Sequence, residues 1–173
     1  MNDIIRAMKE RRSIRKFKPE MPSESDIGQI IEAGLYAASA RGEQSAIIVA
    51  VTNKELRDHI SADNCRIGGW ENFDPFYGAP VILIVLANKN WPNRVYDGSL
   101  VMGNLMLAAH SLGLSSIWIH RAKEEFDGAL KSWLADLGIA GEWEGVGHLA
   151  VGYANGDVPN AAERKPGRVI WVE

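Results

Sequence analysis

The run Val81-Ile82-Leu83-Ile84-Val85-Leu86 has no polar side chain to offer to water on either face, so it must be covered on both sides. Its β-branched content and short length make it a buried strand. Pro80 stands at its first position, where a missing backbone donor costs little. Ala46-Ile47-Ile48-Val49-Ala50-Val51 repeats the pattern and reads as a second buried strand. Two such strands require helical layers over the sheet. One of these is the segment from Tyr96 to Leu112, apolar nearly all round and ended by Gly113, a helix that itself needs cover on most sides. With 173 residues and 46% hydrophobic content, the chain can bury such a core in one domain, 1–173.

Further elements fall around these. Ile4, Ile5 and Met8 lie at helical spacing over residues 3–10, with Asp3 as a candidate cap. Ser23 and Asp26 form a capping-box pattern opening a second helix to about Ala38. The small and polar residues 39–45 make a loop. Asn53 caps a helix over Lys54 to Ile60, and residues 61–78 read as an irregular excursion. Strands follow at 115–119 and 145–153, with an amphipathic helix between them from Glu124 to Leu137, stopped by Gly138. The tail is turn-rich and ends in Arg168-Val169-Ile170-Trp171-Val172, a strand that needs a sheet edge to pair with. Interspersed helices and strands give an α/β or α+β layered domain.

Charge is concentrated in one place. Seven of the nineteen basic residues lie between Arg6 and Lys18, opposed only by Glu10, so this window carries +6 in a chain of net charge −3. A nucleic-acid clamp spreads positive charge over a broad face and interleaves aromatic residues with it, whereas this chain has a pI of about 5.8. A small phosphate fits better, held by Arg11 and Arg12 with Ser13; a solvated basic helix end is the alternative. No Gly-x-Gly-x-x-Gly follows a strand and no P-loop is present. The single Cys65 gives neither a disulfide framework nor zinc-finger spacing. The longest apolar stretches, such as Ala79 to Ala87, are about half the length of a membrane span, and the start Met1-Asn2-Asp3 lacks a secretory pattern. A soluble cytoplasmic protein is the expectation.

Taken in order, Glu10-Arg11-Arg12-Ser13-Ile14-Arg15-Lys16-Phe17, Asp74-Pro75-Phe76-Tyr77-Gly78-Ala79-Pro80-Val81, Asp97 to Ala109, Leu112-Gly113-Leu114 and Val151-Gly152-Tyr153 resemble the nitroreductase family of FMN-dependent oxidoreductases. The resemblance spans nearly the whole chain. It implies an α+β layered fold with a central mixed, mostly antiparallel sheet flanked by helices, and a C-terminal strand exchanged in a homodimer. It also implies reduction of nitroaromatic, quinone or similar electrophilic acceptors by NADH or NADPH, in a ping-pong cycle whose hydride chemistry belongs to FMN. No catalytic side chain and no metal are implied.

Carried over residue by residue, the resemblance puts Arg11 on the FMN phosphate, and Arg12 and Ser13 near the ribityl chain and the pyrimidine edge. The loop from Ser39 to Gln44 would meet the flavin from the partner subunit, and Asn72 falls near a family asparagine that reaches the flavin. Ile119, His120 and Arg121 would lie along the ring, and Arg164 and Lys165 would complete the phosphate site, with Arg168 as a substitute. Arg15 and Lys16 are left unassigned. The chain departs from the family at Gly42, where an Asn is common, at Ser45-Ala46, where Pro-Trp is common, and at His120-Arg121, where many members have Glu-Gly. These departures, with the long segment 61–78, keep open a flavoenzyme of the same fold acting on a specialised metabolite. On the residues alone, His120 could serve local backbone groups, Asn72 could shape a turn, and Arg164-Lys165 could be a solvated pair. A non-enzymatic nucleic-acid-binding domain retains only the charge in its favour.

Overall fold

The apolar run at 81–86 is the centre of the molecule. In the computed structural model, which describes residues 2–173, it forms β2 (Val81–Asn88), and every residue from Val81 to Ala87 is 0% exposed. Around it lie α1 (Asp3–Glu10), α2 (Glu24–Leu35), β1 (Ala46–Val51), α3 (Lys54–Ile67), α4 (Arg94–Ser111), β3 (Ser115–Ile119), α5 (Ala122–Asp127), α6 (Lys131–Asp136) and β4 (Trp143–Gly152). The strand order is β1-β2-β4-β3, and each pairing is antiparallel. An isolated parallel bridge, Ser13 to Ser116, joins the segment after α1 to this sheet.

Alternation along β2 sorts its side chains into two cores. Val81, Leu83 and Val85 pack with Ile30 of α2 and Met102 and Leu105 of α4. Ile82, Ile84 and Leu86 pack on the other face with Ile60 of α3, Phe126 of α5 and Leu134 of α6. The α+β layered architecture expected from the sequence is therefore present. A bulge between Val85 and Leu86 leaves Val146 unpaired in the register with β4. Beside it Gly145 lets α5 approach closely, since a Cβ there would stand 2.2 Å from the Ala122 carbonyl.

Three local expectations need correction, and a fourth is not met within one chain. Asn2 caps α1, accepting from the Ile4 N–H at 2.9 Å, where Asp3 was the candidate. Helix α3 runs to Ile67, absorbing seven residues expected to be irregular, because its second half turns the polar Ser61 and Asn64 inward and so carries no apolar periodicity. The helix expected from Glu124 to Leu137 breaks at Gly128 into α5 and α6. Residues 168–172 form no strand within the single chain, and Val169, Ile170, Trp171 and Val172 are 70–91% exposed. No helix among the described residues is long and apolar enough to cross a membrane.

Candidate active site

The basic segment is laced into the sheet. Arg11 ends α1, its backbone N–H donating to Ala7, and the extended chain then places Ser13 beside Ser116 of β3. The Ile14 N–H donates to the Ser116 carbonyl at 3.2 Å, and Phe17 and Lys18 donate to Tyr77 and Tyr153. Ile14 and Phe17 are buried, so the residues between and before them are held in fixed positions. Arg12 uses Nη1 on the Lys9 and Arg11 carbonyls, at 2.6 and 2.7 Å. Among the described residues, Arg11 Nη1 and Arg12 Nε remain buried without a partner, as does the Ser116 hydroxyl oxygen. A buried guanidinium N–H left unmatched costs on the order of 1–3 kcal/mol, and an anionic oxygen is the acceptor that would remove that cost. The residues fit a phosphate group.

Next to this segment the end of β3 opens into a cavity of about 160 Å³, lined by Arg15, Trp70, Phe73, Tyr77, Trp118, Ile119, His120 and Arg121, among others. Trp70, Phe73 and Tyr77 form an edge-to-face chain with centroids 5.1 and 5.5 Å apart. The Arg121 guanidinium lies 4.3 Å from the centroid of Trp70, a cation–π stack. Aromatic walls with the guanidinium groups of Arg15 and Arg121 among them suit a flat ring that can carry negative charge. Arg15, unassigned from sequence, is thus a cleft residue, and only its proximity to β3 through the Ser13–Ser116 bridge reveals this.

The wall formed by residues 73–77 is held by Asp74. Its carboxylate accepts from Ser61 at 2.7 Å, from the Phe76 and Gly78 N–H groups at 2.9 and 2.7 Å, and from Arg57. Burial opposes ionisation of Asp74, but the bonds from Arg57, Ser61, Gly78 and Phe76 outweigh it and hold the carboxyl below its usual range. Arg57 is itself buried, donating to the Ala79 carbonyl and lying over Phe76.

The remaining sequence candidates are not brought together with Arg11 in one chain. Ser39 and Gln44 line a separate cavity with Ser45, Asp97 and Val101. There the buried Asp97 accepts from the Ala40 N–H at 2.9 Å and from Trp91 Nε1 at 2.8 Å, and Gln44 takes a left-handed backbone, its N–H on the Ser39 hydroxyl. Asn72 is exposed, in a left-handed turn at φ 52°, two residues from Trp70. Arg164 and Lys165 lie on the exposed tail, where Arg164 bonds only the nearby Ala162 carbonyl among the described residues.

Fold and site together define a compact sandwich with a phosphate-type seat at a helix end and an aromatic, cationic cleft at a strand end. A solved structure of a nitroreductase with bound FMN from Bacteroides fragilis has the same fold, at TM-score 0.89 and 27% identity over 100% of both chains. A Methanothermobacter thermautotrophicus protein, provisionally named NADH dehydrogenase/NAD(P)H nitroreductase, is 33% identical over 125 residues, which is 67% of this chain and 60% of that protein. The NAD(P)H-dependent FMN reductase of Bacillus subtilis is 27% identical over 68% of this chain and 53% of its own length. The chain thus spans only somewhat more than half the length of these two relatives. Residues 8–153 match the Nitroreductase family, and the chain belongs to it.

Proposed function

We propose that this protein is a flavin oxidoreductase that holds FMN between the Arg11 segment and the β3 cleft, and uses NADH or NADPH to reduce nitroaromatic, quinone or similar small electrophilic acceptors in a ping-pong cycle. The observation that carries this reading is the pair of buried guanidinium nitrogens without a partner among the described residues, Arg11 Nη1 and Arg12 Nε, on the same segment as Arg15, which lines the aromatic strand-end cavity. Bound FMN would supply the hydride chemistry. Arg11 would hold the phosphate, Ser13 the chain leading to the ring, and Ile119, His120 and Arg121 the ring itself. Arg15, His120 and Arg121 would favour negative charge at the ring's pyrimidine side, and Trp70 and Phe73 would keep water from the acceptor position.

The proposal includes a cytoplasmic homodimer. Ile4, Ile5 and Met8 of α1, Tyr36 after α2, and Tyr96 and Leu100 of α4 are all more than half exposed. The outer edge of β1 has no neighbouring strand among the described residues, and the apolar tail 168–172 has no sheet to join. A second copy would satisfy both, and would bring Ser39 to Gln44, with Arg164 and Lys165, to the first copy's cleft. Purified protein that stays colourless after incubation with excess FMN refutes the flavin reading. Sedimentation as a monomer at micromolar concentration refutes the dimer.

A second reading, an enzyme of this fold acting on one metabolite, is favoured by the cationic end of the cleft, which selects acceptors bearing a carboxylate or phenolate. Negligible kcat/KM across a panel of nitroaromatics and quinones, with FMN bound and reducible by NAD(P)H, would establish it over the first.

A further inference from the structure

Behind the cationic end of the cleft lies a polar cluster to which the flavin reading gives no part. His148 of β4 pairs in register with Ile84 and Ile119, and it, Glu125 of α5 and Asn64 of α3 are each 0% exposed. His148 Nε2 and Glu125 Oε2 share a hydrogen bond of 2.5 Å. Asn64 Nδ2 donates to that same carboxylate oxygen at 2.9 Å and to the main-chain carbonyl of His120 at 2.9 Å. Asn64 Oδ1 accepts from Arg121 Nε at 3.0 Å. The amide orientation follows from this network, since reversing it would set oxygen against two acceptors and nitrogen against a donor.

The cluster is not built for stability alone. Glu125 Oε1 and His148 Nδ1 are buried with no partner among the described residues, and apolar residues of similar volume would fill this space at no such cost. At its outer end Arg121 adopts φ 78°, a left-handed backbone that is strained for a side chain of this size, while its guanidinium lies over the Trp70 ring. The strained residue and the buried pair are joined by one side chain, Asn64.

We propose that Asn64, set in place by the buried Glu125–His148 pair, is a positioning residue that locks the left-handed turn at His120–Arg121 and fixes the Arg121 charge on Trp70 at the ring-side end of the cleft. The lock stands on geometry; its consequence for the cofactor rests on the FMN reading. With Arg121 fixed, this end of the cleft favours negative charge on the bound ring. With Asn64 removed, the guanidinium is free to turn to solvent and the turn relaxes.

The test compares Asn64→Ala, Arg121→Gly and the double variant, Gly being suited to positive φ. In FMN-free protein, acrylamide quenching of Trp70 is taken as the difference between each protein and its Trp70→Phe counterpart. Trp70 is 43% exposed, so Asn64→Ala and Arg121→Gly should each raise its quenching, by at most about twofold, and the double variant should add nothing. In FMN-loaded protein the same variants should shift the flavin midpoint potential negative by equal amounts, again without addition. Wild-type quenching and potential in Asn64→Ala, or additive effects in the double variant, would overturn the proposal. Should Asn64→Ala lose its cooperative urea transition, Glu125→Gln takes its place, with an intermediate shift in the same direction expected and wild-type values overturning the proposal. A wild type that binds no FMN refutes the flavin reading, and the Trp70 measurements then decide the lock by themselves.

Discussion

Replacing Arg11 by Ala separates a ligand-holding cation from a structural one, because the two roles give opposite results in FMN-free protein. The Arg11 side chain makes no hydrogen bond or ion pair among the described residues, and its Nη1 is buried without an acceptor. Truncation therefore removes no bond from the FMN-free chain, and relief of the unmatched N–H offsets the lost packing of the side-chain stem, leaving stability within about 1 kcal/mol of wild type. In the loaded protein a charge-assisted bond to phosphate disappears, worth about 1.5–3 kcal/mol, which weakens FMN binding about 10- to 150-fold. At an FMN concentration 100 times the wild-type Kd, wild type gains about 2.7 kcal/mol, and a variant weakened 100-fold gains about 0.4 kcal/mol. For a chain of this length that difference is roughly 5–9 °C in Tm. Fluorescence titration gives the Kd, and urea and thermal unfolding with and without FMN give the stabilities. An unchanged Kd would refute the phosphate role, and a loss above about 2 kcal/mol in FMN-free protein would make Arg11 structural.

Other expectations rest on separate parts of the molecule. Asp74→Asn should cost about 2 kcal/mol at pH 7, by weakening the pairing of a buried Arg57. Because the folded carboxyl lies below its ordinary value, this contribution is present above about pH 4 and fades as pH falls through the lower folded value, so the wild-type and variant urea midpoints should converge in acid. A constant difference down to pH 2 would refute that assignment. Asp97→Ala leaves the Ala40 and Trp91 N–H groups unmatched. It should cost about 2–3 kcal/mol and speed proteolysis within residues 39–44, while unchanged cleavage would show that Asp97 does not hold the loop. Deleting residues 168–173 removes four exposed apolar side chains that a partner would cover. At about 1.5 kcal/mol each before ordering costs, the dimer dissociation constant should rise at least about a hundredfold in sedimentation experiments, and an unchanged constant would exclude the tail from the interface.

What the sequence made legible follows the hydrophobic pattern closely. β1, β2, α4 and β3 appear within a few residues of their expected bounds, because uninterrupted apolar runs have few ways to be covered. The seven residues added to α3 were hidden for the converse reason, as beyond Ile60 its buried face carries Ser61, Asp63 and Asn64 in place of aliphatic side chains. The same is true of the cluster that it joins. Nothing in the spacing of Asn64, Glu125 and His148 announces that three elements will bring them within hydrogen-bond distance of one another. Polar burial is fixed by tertiary geometry, and periodicity does not encode it.

The distribution of the site residues bears on the proposed homodimer. Arg15 lines the cleft at the β3 end and Ser13 is bridged to Ser116 of the same strand, whereas Ser39 and Gln44 line another cavity around Asp97, on the side of the sheet covered by α2 and α4. A loop serving its own chain's cleft would have no reason to be pinned there, with Arg41 and Gln44 both in left-handed conformations and Ala40 bonded to the first turn of α4. Those features are what a loop needs if it must be presented rigidly to a neighbour. The half-exposed Leu100 of the same helix and the exposed Tyr36 at the end of α2 mark the apolar surface on which that neighbour would sit. The hydrogen-bonded loop and the apolar exposure are independent observations, and the proposed homodimer, in which two copies would complete the cleft together, would account for both.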